Sequence, residues 1–180
     1  MNKADIPFLS ATALGELIRQ REVSPVEATE AYLERIDVID STLHSYITVC
    51  RQEALQAARA AEQELARGEH RGPLHGVPYA VKDQFWTKDL LTTGGSTILG
   101  DFVPNEDATV VARLRASGAI LLGKLNMFCA LKGATHTPRL ARWRHSAVTT
   151  NDLPASLEQP MIMMGLVTRF SSLAPPPMPI

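Results

Sequence analysis

Lys82 closes the run Gly72-Pro73-Leu74-His75-Gly76-Val77-Pro78-Tyr79-Ala80-Val81-Lys82-Asp83, a Gly/Pro-rich turn followed by a short apolar stretch. Val77, Tyr79, Ala80 and Val81, bounded by turn residues, predict a short buried strand. Lysine is almost never fully buried without a partner. Desolvation there disfavours the ammonium, and the neutral amine that results can act as a general base. A lysine at a strand end can also run its stem along apolar surface and keep its ammonium in water. Burial logic alone leaves both open.

Other chemistry-bearing patterns are weaker. Gly118-Ala119-Ile120-Leu121-Leu122-Gly123-Lys124 has the spacing of a phosphate-binding loop. Its intervening residues are apolar and partly β-branched, so they predict a strand, and Leu125 stands where a magnesium-binding hydroxyl is needed. His70 and His75 bracket a turn; without a third ligand they make no metal site, and solvation in a loop is expected for both. Cys129 lacks a histidine in a recognisable context, despite His136 nearby in sequence, so a small buried thiol is expected. Asp83 alternates to the face opposite Lys82 if the strand persists, and a turn or cap role is expected of it.

The elements that must position Lys82 follow from periodicity. Leu14, Leu17 and Ile18 have the spacing of an amphipathic helix, with Ser10 or Thr12 as its cap. Ser24, Pro25 and Glu27 form a capping box for a second helix with the stripe Tyr32, Leu33, Ile36 and Ile39. Tyr46-Ile47-Thr48-Val49 predicts a strand. Arg51–Arg67 predicts an Ala-rich helix with Leu55, Ala58 and Leu65 on one face and Gly68 as its stop. Residues 69–78 form a turn-rich loop, with Gly76 and Pro78 setting the turn into the Lys82 strand. Asp107 is expected to cap a helix running to Ser117, carrying Val110, Val111 and Leu114. Ala119–Leu122 predicts a strand buried on both faces. Strands alternating with helices argue for an α/β layered fold with a largely parallel sheet.

The run ending at Lys82-Asp83 closely resembles the lysine-bearing core of the amidase signature family, whose members cleave or exchange carboxamide C–N bonds. Thr92-Thr93-Gly94-Gly95-Ser96 resembles that family's TT-x-GS turn. Residues 101–114 resemble its segment leading into a helix, Gly118–Met127 the strand that follows, and Ser24-Pro25-Val26-Glu27 its opening helix. The resemblance covers about residues 8–127; Gly133-Ala134-Thr135 is a last echo. It implies α/β architecture, with amidase-signature-type helices packed around a mixed, largely parallel sheet that is here truncated. It also implies a Ser–cis-Ser–Lys triad in which Lys82 matches the lysine and Asn126 orients a nearby loop. In such a triad a serine attacks the amide carbon and its proton passes through the bridging serine towards the neutral lysine. The Gly-Gly-Ser-Ser-Gly-Gly-Ser motif of the bridging serine and the later Gly-Gly-Ser motif of the nucleophile are both absent from these 180 residues. Gly94-Gly95-Ser96 belongs to the earlier turn. The chain is therefore expected to keep only the lysine and to be inactive alone. The alternative is a non-catalytic fragment or pseudoenzyme that binds a partner chain.

Composition narrows the class. A net charge of −1 and 45% hydrophobic residues suit a globular protein and give no electrostatic case for nucleic acid or an acidic membrane. Two cysteines make no disulfide framework, so a reducing, cytoplasmic setting is expected. No signal peptide, bilayer span, metal or cofactor is expected. Expected partners are a small-molecule amide in intact relatives, and a second copy or the other subunits of an amidotransferase. Residues 1–136 are assigned to the family domain and 137–180 to a divergent, irregular tail. That tail clusters Arg139, Arg142, Arg144 and His145 around Trp143, a pattern typical of a solvated loop. It ends in Pro175-Pro176-Pro177-Met178-Pro179-Ile180. A frameshift, a truncated gene or an alternative splice product would each give this combination.

Overall fold

The computed structural model describes residues 2–127. The expectations placed on Cys129, on the basic cluster around Trp143 and on the 137–180 tail lie outside them. A 3-10 turn, Lys3–Phe8, leads into helix α1, Ala11–Arg19, and α2, Pro25–Leu43. Ser10 Oγ accepts from the Ala13 N–H and Ser24 Oγ from the Glu27 N–H, so both helices start at their expected caps. Leu14, Ile18, Ala28 and Leu33 are almost wholly removed from water. The first three join Ile6, Val23, Ala31, Leu65 and Val77 in one core cluster. Each such leucine or isoleucine contributes about 1.5–3 kcal/mol of burial.

At the end of α2, His44 takes a left-handed conformation (φ 50°). Asp40 fixes the turn that follows, its Oδ1 accepting from Ser45 N at 2.7 Å, Ser45 Oγ at 2.5 Å and Tyr46 N at 3.2 Å. This delivers strand β1, Tyr46–Val49, and then helix α3, Arg51–Ala66. On α3 the shielded positions are Ala54, Ala58, Ala61 and Leu65. Small alanines let the helix lie close, while Leu55 is only half-buried.

Strand β2, Pro78–Lys82, helix α4, Thr109–Ala116, and strand β3, Ile120–Leu125, form a parallel crossover. The sheet order is β1-β3-β2, with β1 antiparallel to β3, so the sheet is mixed. Register on β3 pairs Val81 with Lys124 and Lys82 with Leu125. The loop spacing at Gly118–Lys124 thus belongs to a turn and a strand, as its apolar residues require. Tyr79 and Val81 pack with Val111 and Ala119 under α4.

Two glycines face each other where β2 and β3 begin. The Gly76 N–H donates to the Gly118 carbonyl at 2.9 Å. Both have positive φ, 81° and 78°, a region that side-chain-bearing residues rarely enter. A Cβ on Gly76 would press on the Pro25 ring, and one on Gly118 would collide with the His75 ring.

Two expectations are corrected here. Asp107 does not cap α4; the cap position is Ala108 and no side chain fills it. The Asp107 carboxylate instead accepts from Lys88 N at 2.7 Å and meets Arg115 Nε at 3.1 Å, tying the loop after β2 to the helix. His75 is not a solvated loop residue but is 1% exposed. Its Nδ1 accepts from the Arg71 N–H at 3.2 Å, which leaves the ring proton on Nε2, 3.1 Å from Glu64 Oε2. The turn's glycines fold it inward onto α3.

Candidate active-site lysine and the buried charge pair behind it

Lys82 ends β2 half-buried, and its Nζ donates to the Asn126 carbonyl oxygen at 3.2 Å. Asn126 is itself held at three other points. Its N–H donates to Ser45 O at 2.7 Å, its Nδ2 to His44 O at 3.1 Å, and its Oδ1 accepts from Met127 N at 2.9 Å. It fastens the end of β3 to the α2–β1 corner and turns a carbonyl towards the lysine. Asn126 also walls a cavity of about 310 Å³, together with Ile47, Thr93, Ser96 and Gly100. A larger cavity of about 510 Å³ lies by His75, Glu64 and Arg115 and does not include Asn126; Lys82 lines neither.

Asp83 does alternate away from Lys82 and, as expected, opens the turn after β2, which the Phe85 N–H closes on Lys82 O at 3.0 Å; its side chain, though, is not solvated. It is fully buried. Its Oδ2 accepts from Thr93 N at 2.9 Å and Thr93 Oγ1 at 2.6 Å, and its Oδ1 lies 3.6 Å from Lys124 Nζ. Lys124 is also fully buried. Its ammonium reaches Phe85 O at 2.5 Å, Thr92 Oγ1 at 2.9 Å and Thr87 Oγ1 at 3.1 Å. Three oxygens for three N–H donors satisfy the group in full. Burial pulls the Lys124 amine below its ordinary value, and Asp83 works against that pull.

Sequence reasoning missed Lys124. The signal was the one applied to Lys82: a lysine inside an apolar strand demands a partner. The phosphate-loop spacing drew attention to Gly118–Lys124, and rejecting that motif left its lysine without a role. Among the described residues, no group of three or more His, Cys, Asp or Glu side chains could hold a metal ion. Cys50 is free and buried, and burial pushes its thiol up, away from the reactive thiolate.

A helix-covered mixed α/β sheet with a half-buried lysine at the end of a parallel strand defines the class. The chain belongs to the Amidase family, whose model matches residues 27–151. The matched span runs beyond Met127, further than the motifs alone carried the resemblance. Among curated relatives, a putative amidase AmiD of Mycobacterium tuberculosis is 51% identical over 122 residues, which is 68% of this chain and 26% of that protein. A glutamyl-tRNA(Gln) amidotransferase subunit of Moorella thermoacetica is 46% identical over 123 residues, again 68% of this chain and 25% of its own length. Among solved structures, the peptide amidase of Stenotrophomonas maltophilia superposes with a TM-score of 0.62 at 36% identity, over 66% of this chain and 24% of that one. The chain therefore spans about a quarter of the length of the relatives it matches.

Proposed function

We propose that this chain carries the lysine-bearing part of a site that cleaves or exchanges carboxamide C–N bonds, with Lys82 as the proton acceptor. The observation that carries this is Lys82 itself: half-buried at the end of β2 and hydrogen-bonded to Asn126, a residue that walls a small cavity, within the span matched by the family. The 180 residues contain neither serine motif, so the chain alone has no covalent route and is inactive by itself. The likeness to an amidotransferase subunit supports partner subunits as one setting, and the likeness to amidases supports a small amide as substrate. A cytoplasmic location belongs to the same proposal.

Ammonia release from simple carboxamides, read with serine labelling by an acylating probe, tests it. The chain alone is expected to give neither. Co-expression with the remaining three quarters of a family relative is expected to give turnover that Lys82→Met abolishes. Turnover that survives Lys82→Met removes Lys82 from the role, and serine labelling of the chain alone removes the claim of inactivity.

One observation favours partner binding without chemistry. Ile98 is 80% exposed and Val103 51%, with Trp86 and Leu99 also open to solvent on the same stretch of loop. Exposed apolar residues gathered this way mark surfaces that bind another protein. Co-elution with a family relative, lost in Ile98→Asp and indifferent to Lys82→Met, would support that alternative.

A further inference from the structure

We infer that the buried Lys124–Asp83 pair is a positioning device for Lys82, and this rests on Lys82 being the proton acceptor. Lys124 directs its three donors to Phe85, Thr87 and Thr92, all in the loop that leaves β2 directly after Lys82 and Asp83. Asp83 closes the same loop from the other end by accepting twice from Thr93. Its N–H donates to Leu125 O at 3.0 Å, which pins the backbone following Lys82 to β3.

The partner of Lys82 hangs from the same strand. Asn126, whose carbonyl receives Lys82 Nζ, lies two residues beyond Lys124. Donor and acceptor are therefore each set by a backbone that the buried pair clamps, one on β2 and one on β3. Val81 pairs with Lys124 and Lys82 with Leu125, so the pair occupies one face of the strand ends and Lys82 the other.

Stability alone does not call for this pair. Replacing a buried ion pair by uncharged residues of similar shape is often neutral or stabilising. What an apolar side chain cannot do is hold three loop oxygens and a carboxylate in fixed directions. Lys124 and Asp83 are positioning residues; they touch no reacting atom.

Competitive acetylation of the full chain by a limiting amine-acylating reagent tests this, with Lys82 and Lys3 quantified by mass spectrometry in the same sample. Lys3 lies in the N-terminal turn, paired with Glu30 and Glu34, and serves as the internal reference. In the double variant Lys124→Met/Asp83→Asn, both charges go and the shapes stay. The Lys82:Lys3 ratio is expected to rise roughly fivefold, the factor that loss of one hydrogen bond gives. Thr92→Val, which removes one acceptor of the ammonium, is expected to raise it by less and gives the answer should the double variant not fold. A ratio unchanged in a folded variant overturns the inference and leaves the pair a plain stabiliser. The readout needs no turnover, so a failure of the positioning and a failure of the amide chemistry it would serve are read in separate experiments.

Discussion

Lys82, the last residue of β2, and Asp83, the first of the turn after it, send their side chains to separate partners. Lys82 meets the Asn126 carbonyl at 3.2 Å, while Asp83 is fully buried 3.6 Å from Lys124. One side is left with a half-buried amine on a backbone carbonyl and the other with a fully buried charge pair.

Thr93 is the hinge of that buried side. Its Oγ1 donates to Asp83 at 2.6 Å and accepts from Gly95 N at 3.1 Å. Thr93→Val leaves one buried carboxylate oxygen short of a donor, and a loss of about 1–3 kcal/mol is expected. Thr93→Ser keeps the hydroxyl and is expected to stay close to wild type. Urea unfolding of the three chains checks the order.

His75 gives the fold an acid-side dependence. Burial holds its imidazole below the ordinary value; Arg71 and His70 act in the same direction, and Glu64 acts against them. The unfolded chain therefore takes up the proton first. Stability is expected to fall as pH drops through about 6.5, the ordinary histidine value, and to level off below the folded-state value. In His75→Asn the slope of stability against pH between about 7 and 5 should flatten. An unchanged slope would show that other groups set it.

Gly118 stands at φ 78° against the His75 ring. Gly118→Ala adds left-handed strain and a collision with a buried ring. The strain alone costs about 1–3 kcal/mol. Thermal unfolding should show a clear drop, larger than for alanine at Gly68, where a Cβ meets nothing within 4 Å.

Ile18 and Ile98 are the same residue type in opposite settings, at 1% and 80% exposure. Ile18→Ala opens a hole in the core under α1 and is expected to cost about 2–5 kcal/mol. Ile98→Ala is expected to change stability by no more than about 0.5 kcal/mol. Denaturant midpoints with matched slopes give both numbers.

Much of the local structure could be read from the chain. Ser10 and Ser24 cap α1 and α2 because a short hydroxyl before an amphipathic stripe meets a free helical N–H. Tyr46–Val49 and Ile120–Leu125 are strands because β-branched, aromatic and other apolar residues fill pleated surfaces. Asp107 misled because a carboxylate before a helix is an ordinary cap. Here the Lys88 N–H, brought in by the folded loop, and Arg115 on α4 compete for it. His75 misled because a Gly-rich turn ordinarily faces water.

The sequence by itself determined where helices and strands form, and that Lys82 ends an apolar strand after a Gly/Pro turn. Those depend on neighbours within a few residues, and side-chain period and capping record them. Only the tertiary structure decided that Lys124 and Asp83 are partners and that Asn126 receives Lys82. Only it decided, too, that His75 lies beneath Gly118. Each of these joins groups brought together by the β2–α4–β3 crossover, whose register no local pattern encodes. A buried charge announces that it needs a partner, but the fold alone chooses which one.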